Sequence, residues 1–593
     1  GALLGVAGLT LTPLAQAVIE EIVVTAQKRE SALQETPIAI TAFSEDAIER
    51  NQIEDFRDIA IRTPGLVFAQ TDAMSIIALR GVGLDITSLG GETAVAAYQD
   101  GVYLGQSFTL SMPSFDLERI EVLRGPQGTL YGRNATGGAV NLVTRGPSFE
   151  PDANVALTYK DYDHVKVEAG ATGGLSETVA VRGSIVYDNR EEGFRDQLAI
   201  GGETRGDEST TANFSMLITP SEDLDITLRA NMTDQETGFG VFENLQFAPA
   251  GGTALTPDNP GGFFTYPNPA LGGQSLADVF GLNFPAASYG TVPSDPDDLE
   301  VAGEFRNKQQ FDVWGTSATV EWDVGDVTIK SITAYRDIEW KRLSDEDGTD
   351  LQLLTLDGIQ EAETFTQEIN ISGTSFDGDL EWLVGGYYFD EDASAEFLYD
   401  LGDFQLFYEA LLGVFSTGTP LPPGSLATFS VGNPLAQGIG RRQWQIAATP
   451  FLHFTMDQES ESIAVFGEGK YHLTDDFALT LGGRWTRDEK DVSRSLTSNF
   501  VALLAPAGLC IDAPSDDEWS EFTGNVVGEY TLNDDSMVFA KISRGYKAGG
   551  FNPGECSGGF DPETILAYEL GWKAQFADDQ IQLNSALFYY DYD

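Results

Sequence analysis

The chain has 593 residues, with 92 Asp+Glu against 34 Lys+Arg and a formal net charge of -58. Phosphate recognition needs a basic face, so this balance excludes nucleic-acid binding. Hydrophobic residues make up 42% and aromatics 11%, which excludes a disordered acidic chain. The 64 Gly and 36 Phe favour a mainly β protein, in which one closed sheet can use several hundred residues.

Residues 1–17 read as a residual signal peptide. Leu3, Leu4, Val6, Leu9, Leu11 and Leu14 form a short apolar run interrupted by Pro13, and Ala15-Gln16-Ala17 has the small-x-small form of a cleavage site. A buried helix is the alternative reading. With no initiator Met and no basic n-region, the expectation is that the start of the gene product is missing. No later stretch offers about 20 uninterrupted apolar residues, so no transmembrane helix is expected.

Residues 18–30 hold an extended run, Glu20-Glu21-Ile22-Val23-Val24-Thr25-Ala26. By itself it reads as a first strand, or as an accessible handle that a partner pulls by adding a strand to it. Residues 31–150 have the mixed pattern of a small α+β domain. Ser44 is placed to cap a helix in which Ile53, Phe56 and Ile59 recur at helical spacing, and Pro64-Gly65 ends it. Short strands are predicted at Ser75–Leu79, Val95–Gln99, Arg119–Leu123 and Ala139–Thr144. Between the last two lies a Gly-Pro turn, Gly125-Pro126, followed by the small residues of Asn134–Gly138. No Walker lysine follows and Rossmann spacing is absent, so a nucleotide cradle is excluded.

From residue 151 to 593 the pattern becomes long alternating strands. Leu224, Ile226, Leu228, Ala230 and Met232 lie on one face. Phe477, Leu479, Leu481, Gly483 and Trp485 repeat this, as do Ile581, Leu583, Ser585, Leu587 and Tyr589. A soluble sandwich shares this alternation. The connections discriminate. Tight polar turns (221–223, 474–476, 533–535, 578–579) alternate with long loops (237–308, 394–458, 491–518, 549–563), the asymmetry of an outer-membrane barrel. Roughly fifteen strands are expected, an odd number that predicts further strands beyond the chain's end.

Several candidate sites follow from residue type. Cys510 and Cys556 fall in two successive long loops, and an exported chain makes a disulfide between them plausible. The cluster Asp345-Glu346-Asp347-Gly348-Thr349-Asp350 reads as a solvated acidic loop or a Ca²⁺ site. Three scattered histidines, His164, His453 and His472, argue against haem, and the chain has neither HExxH nor a Ser/His/Asp set. Phe263, Phe264, Tyr266, Phe404, Phe407 and Tyr408 are loop aromatics able to stack on a ligand, on one another or on lipopolysaccharide sugars. No catalytic constellation, resident metal or cofactor is expected.

The chain resembles the TonB-dependent outer-membrane receptors. The segment EEIVVTAQKRE looks like a TonB box, and LERIEVLRGPQGTLYGRNATGGAVNLVTR like the plug signature. LRGVG at 79–83 and YQDGVYLG at 98–105 fit the same plug, and FTQEINISG (365–373), SRGYKAGGFNPG (543–554) and YELGWK (568–573) are similar to family barrel strands. The resemblance implies a transmembrane antiparallel β-barrel of the 22-strand type, here without its C-terminal strands, plugged by the N-terminal α+β domain. It implies active import of a scarce nutrient, most readily a ferric siderophore, with cobalamin, an oligosaccharide or another organic ligand as alternatives; a passive porin or adhesin barrel would have no use for box and plug. The implied partners are TonB with ExbB/ExbD, a small iron chelate, and outer-membrane lipid and lipopolysaccharide. The TonB box would be Glu21, Ile22, Val23, Val24, Thr25 and Ala26. Arg80 and Arg124 would form a buried ionic lock with Glu569 and a second glutamate beyond the chain's end. The bland reading makes both arginines plug-surface cations.

Overall fold

A computed structural model describes residues 22–593 apart from 72–73, 84–88, 90, 107–108, 111–114, 198–202, 239–299, 302–306, 346–354, 401–451, 499–512, 552–558 and 578–579. The N-terminal part is built on a five-stranded sheet in the order Ile40–Ser44, Leu117–Arg124, Gly138–Thr144, Val95–Gln99 and Val102–Tyr103. Gly138–Thr144 runs parallel to Val95–Gln99 and antiparallel to Leu117–Arg124. Ile120, Val122, Leu123, Val95 and Val140 are fully buried at its centre. Glycine is required where the third strand begins: Gly138 has φ +149°, and a Cβ there would sit 2.1 Å from the Leu123 carbonyl oxygen. A second sheet joins Leu66–Thr71, Met74–Leu79 and Val82–Gly83.

The helix predicted after Ser44 is two short helices, Glu45–Asn51 and Phe56–Arg62. Ser44 stands at the first N-terminus without a side-chain capping bond. Gln52, at φ +49°, ends that helix, and Asp55 caps the second by accepting the Asp58 amide at 3.0 Å. The break turns Ile53 into the same core as Phe56 and Ile59. Phe56 and Ile59 share the second helix, whereas Ile53 reaches that core from the connection between the two helices.

The remainder is one sheet of fifteen strands in sequential antiparallel order from Asp152–Lys160 to Ile581–Tyr592, with the two-residue strand Glu300–Val301 alongside Val179–Gln197. The apolar positions of the alternation face outward: Leu228, Met232, Leu481, Trp485, Leu587 and Tyr589 are exposed. They continue in register across strands, as in the row Ile369, Gly386, Val465, Trp485, Phe522. Inward-facing polar residues such as Thr211, Glu368, Thr480 and Lys541 are buried against the N-terminal domain, the reverse of a soluble sandwich.

The strands outrun the sequence reading. Leu452–Thr474 has 23 residues and Leu380–Asp400 has 21, against about 9–11 needed to span a bilayer. His453 therefore lies in a strand and not in a loop, with Nε2 2.7 Å from Glu396. His472 sits beside the tight turn after Phe376–Gly378, its amide bonded to the Asp379 carbonyl, and His164 meets Asp188 at 2.5 Å. Cys510 and Cys556, residues 346–350 of the acidic cluster, the six loop aromatics, residues 1–17 and Glu21 lie outside the described residues.

Candidate functional site

The segment Ile22–Ala26 is folded onto the plug. Val23–Val24 pairs antiparallel with Ser31–Ala32, and the Leu33 amide donates to the Ile22 carbonyl at 2.9 Å. Val24 and Ala26 are buried in a cluster with Leu33, Ile38, Ile40, Tyr98 and Phe466. Thr25 donates twice to Glu121 Oε1, from its amide at 2.8 Å and its hydroxyl at 3.1 Å. Glu121 is fully buried and also receives Arg119 Nε at 2.9 Å and Asn141 Nδ2 at 3.2 Å. The accessible handle of the sequence reading is thus a stowed one.

Just after it, the Lys28 ammonium sits 2.5 Å from both Glu368 oxygens on the barrel wall, and Arg29 reaches Glu381 at 3.2 Å. Burial pushes the Lys28 ammonium below its ordinary value, against the pull of Glu368. Glu381 adjoins the tight turn at Phe376–Gly378, so the segment lies at the tight-turn end of the barrel.

Arg80 and Glu569, 489 positions apart, meet at 2.6 Å with side chains 4% and 7% exposed. Arg80 also donates to the Tyr590 hydroxyl at 2.9 Å and lies 4.1 Å over the Phe588 ring. Burial opposes the Arg80 charge, but Glu569 and Tyr590 outweigh it and raise its basicity. Arg80 (φ +55°) faces Gly125 (φ +95°), where a Cβ would stand 3.1 Å from Arg80 Nη1 and from the Tyr590 hydroxyl. Arg124 is brought alongside but forms no ion pair among the described residues, and its Nε is buried without a partner. Burial and the neighbouring Arg80 charge lower its basicity.

A second polar cluster was not found by sequence reasoning. Arg133 approaches Glu92 at 3.6 Å and Asp488 at 3.7 Å and lies 4.1 Å over Phe389. Lys490 pairs with the same Glu92, and Tyr546 donates to Asp488 at 2.7 Å. Burial opposes ionisation of Glu92, but Arg133 and Lys490 hold its carboxyl below the usual range. The plug signature accounts for Arg133; nothing in the local sequence marks Glu92, Asp488 and Lys490 as its neighbours.

The arrangement is therefore a plug fastened inside a barrel by buried ion pairs, with an extended N-terminal segment stowed at one end. Comparison with known proteins agrees on the plug and the barrel. A family model described as TonB dependent receptor-like, beta-barrel matches residues 245–593, and the TonB-dependent Receptor Plug Domain model matches residues 32–139. The iron-regulated outer membrane virulence protein of Vibrio cholerae is 26% identical over 252 residues, which are 40% of this chain and only 38% of that protein. The pesticin receptor of Yersinia pestis is 24% identical over 615 aligned residues, covering 99% of this chain and 73% of that protein. Among solved structures, the ferric yersiniabactin uptake receptor of Yersinia pestis superposes with TM-score 0.68 at 18% identity, covering 94% of this chain and 72% of that one.

Proposed function

The chain belongs to the TonB-dependent receptor family of the Gram-negative outer membrane, and from that premise we propose that it imports a scarce nutrient, a ferric siderophore, by energised rearrangement of its plug. In this reading a ligand is captured on the outer loops, and TonB, energised by ExbB/ExbD, then pulls on Glu21–Ala26. The observation that carries the proposal is the seating of Ile22–Ala26. A two-residue ladder, the burial of Val24 and Ala26 and one buried carboxylate, Glu121, hold an extended segment at the tight-turn end of the barrel. Such a segment suits recognition by strand addition once released. Arg80–Glu569 is proposed as the lock that keeps the plug in register, since a buried charge pair fixes geometry more than it adds stability. A passive pore gains nothing from a plug held this way.

The test is deletion of residues 18–27 in the full-length receptor, followed by uptake of radioiron offered as siderophore chelates. Binding at the cell surface is expected to persist while uptake is lost. Uptake that survives the deletion defeats the energised-importer reading. Loss of uptake for cobalamin or an oligosaccharide, with iron chelates never transported, would keep the mechanism and change the cargo.

A further inference from the structure

The plug is fastened unevenly. Toward the strands between Thr355 and Tyr592 it is bonded at many points. Arg80 meets Glu569 and Lys28 meets Glu368. The Thr523 hydroxyl and the Lys573 ammonium donate to the carbonyls of Gly128 and Leu33 at 2.8 and 2.6 Å. Large side chains fill that wall, among them Phe389, Phe466, Trp519 and Tyr546. Toward the strands of residues 203–345, the stretch of wall beside Gln99 and Leu142 carries small polar groups, while Phe311, Ile338 and Trp340 are buried elsewhere along the same strands. Thr211, Asn213, Asn231 and Thr233 face the plug there, and the ionic contacts across the gap among the described residues are Arg229 to Asp100 at 3.5 Å and, from the neighbouring strand Val179–Gln197, Arg182 to Asp116.

Two adjoining cavities of about 50 Å³ each lie in this gap and share Gln99, Asn213, Asn231 and Arg336. Each has room for a few waters, since one water needs about 10–15 Å³. The first is lined by four arginines, Arg145, Arg182, Arg229 and Arg336, against the carboxylates of Asp100 and Asp116. Asp116 is committed to Arg182 at 2.5 and 2.9 Å. Arg336 has no ion pair among the described residues; its Nε and the Asn231 Oδ1 are buried without partners.

We propose that cargo crosses the plug on this side, past Asn213, Asn231 and Arg336, and that the passage favours anionic chelates such as carboxylate- or catecholate-bearing iron complexes. The inference rests on the importer reading above. It deepens that reading by naming the wall along which the plug yields and the charge of what passes. A plug that yields along this stretch gives up Arg182–Asp116 and Arg229–Asp100 but keeps Arg80–Glu569 and Lys28–Glu368, and an unpaired guanidinium there attracts negative charge where a paired one would not.

The test uses the full-length receptor in intact cells with Cys510 and Cys556 replaced by serine. Asn231→Cys (or Asn213→Cys, should the first fail to assemble) reports the proposed passage, and Thr523→Cys reports the fastened wall. Anionic and cationic methanethiosulfonates are the probes, in energised and protonophore-treated cells. Energisation is expected to speed modification of Asn231→Cys and not of Thr523→Cys. The anionic reagent should lead the cationic one by about 30-fold, attraction of the one and repulsion of the other each contributing roughly fivefold for a unit charge at ~4 Å in water. Arg336→Gln should abolish that preference and Arg336→Lys should retain it. Acceleration at Thr523→Cys alone overturns the passage while leaving the importer reading standing. Absence of a charge preference overturns the anionic selectivity. No response to energisation at either position overturns the passage, and the deletion of residues 18–27 then decides whether the importer reading falls with it.

Discussion

The Thr25 amide and hydroxyl both end on one oxygen of Glu121, 96 positions away, at 2.8 and 3.1 Å. That carboxylate is fully buried, so its bonds to Thr25 are made out of water's reach. A hydrogen bond to a charged group contributes about 1.5–3 kcal/mol.

Glu121→Ala should therefore loosen the stowed segment while leaving the sheet, whose ladders are backbone-made, intact. Hydrogen exchange at the Thr25 amide is the direct measurement, and it should accelerate by roughly 10- to 100-fold. Exchange unchanged from the parent would show that the short ladder of Val23–Val24 and the burial of Val24 and Ala26 suffice to hold the segment.

The lock makes a different prediction. Glu569→Ala leaves the Arg80 guanidinium, 4% exposed, without its carboxylate, and breaking one side of a buried pair costs about 3–5 kcal/mol. Replacing both, with Arg80→Leu and Glu569→Leu, removes the orphan charge and should recover most of that loss. Denaturant unfolding of the refolded receptor in detergent compares the three. A double variant as weak as Glu569→Ala would mean that the pair contributes net stability and does more than set register.

How much of this was legible in the sequence follows from how local each feature is. Alternation is a period-2 property of each strand, so Leu224–Met232 and Phe477–Trp485 showed the strands directly, and the tight turns alternating with long loops separated a barrel from a sandwich. Strand ends were not legible. Near the rim both faces are polar, as in Ser493-Arg494-Ser495 of the strand Phe477–Ser498, and the signal that separates strand from loop disappears. Glu569 was reached only through family resemblance, because nothing around it points to an arginine 489 positions earlier. Glu121 was missed for a related reason. Its strand shows Ile120 and Val122 on one face, and the sequence does not say that the opposite face is covered by the N-terminal hairpin.

Acid should undo one side of the plug first. Glu54 bonds Lys160 at 3.2 Å and lies 3.4 Å from Lys166. Burial opposes its ionisation, yet the two ammoniums prevail and hold its carboxyl below the ordinary value of 4.5. A carboxyl whose folded pKa is depressed contributes stability that is present above the unfolded value and is lost as pH falls through the folded one. The loss should thus set in below about pH 4.5. Glu54→Gln should be less stable than the parent at pH 7 and should converge on it as pH falls below that window. Parallel pH curves for the two proteins would refute the assignment.

The outer wall carries an electrostatic cost that substitution should relieve. Asp337, Glu363, Asp392, Glu459, Asp491 and Asp516 stand directly opposite one another, one per strand, across six consecutive strands. All but Asp337 are exposed. Like charges in direct cross-strand register destabilise a sheet, by roughly 0.2–1 kcal/mol per pair. Asp392 has a carboxylate on each side, whereas Ser394, two residues on, occupies an equivalent outward position without charge. Asp392→Ser should therefore stabilise the barrel by about 0.5 kcal/mol at low ionic strength. Above about 1 M salt, where screening shortens to ~3 Å, the gain should vanish. Backbone ladders and apolar packing are nearly insensitive to salt, so the difference between low- and high-salt melts isolates the repulsion. A stabilisation that persists unchanged in high salt would assign the gain to β-propensity instead.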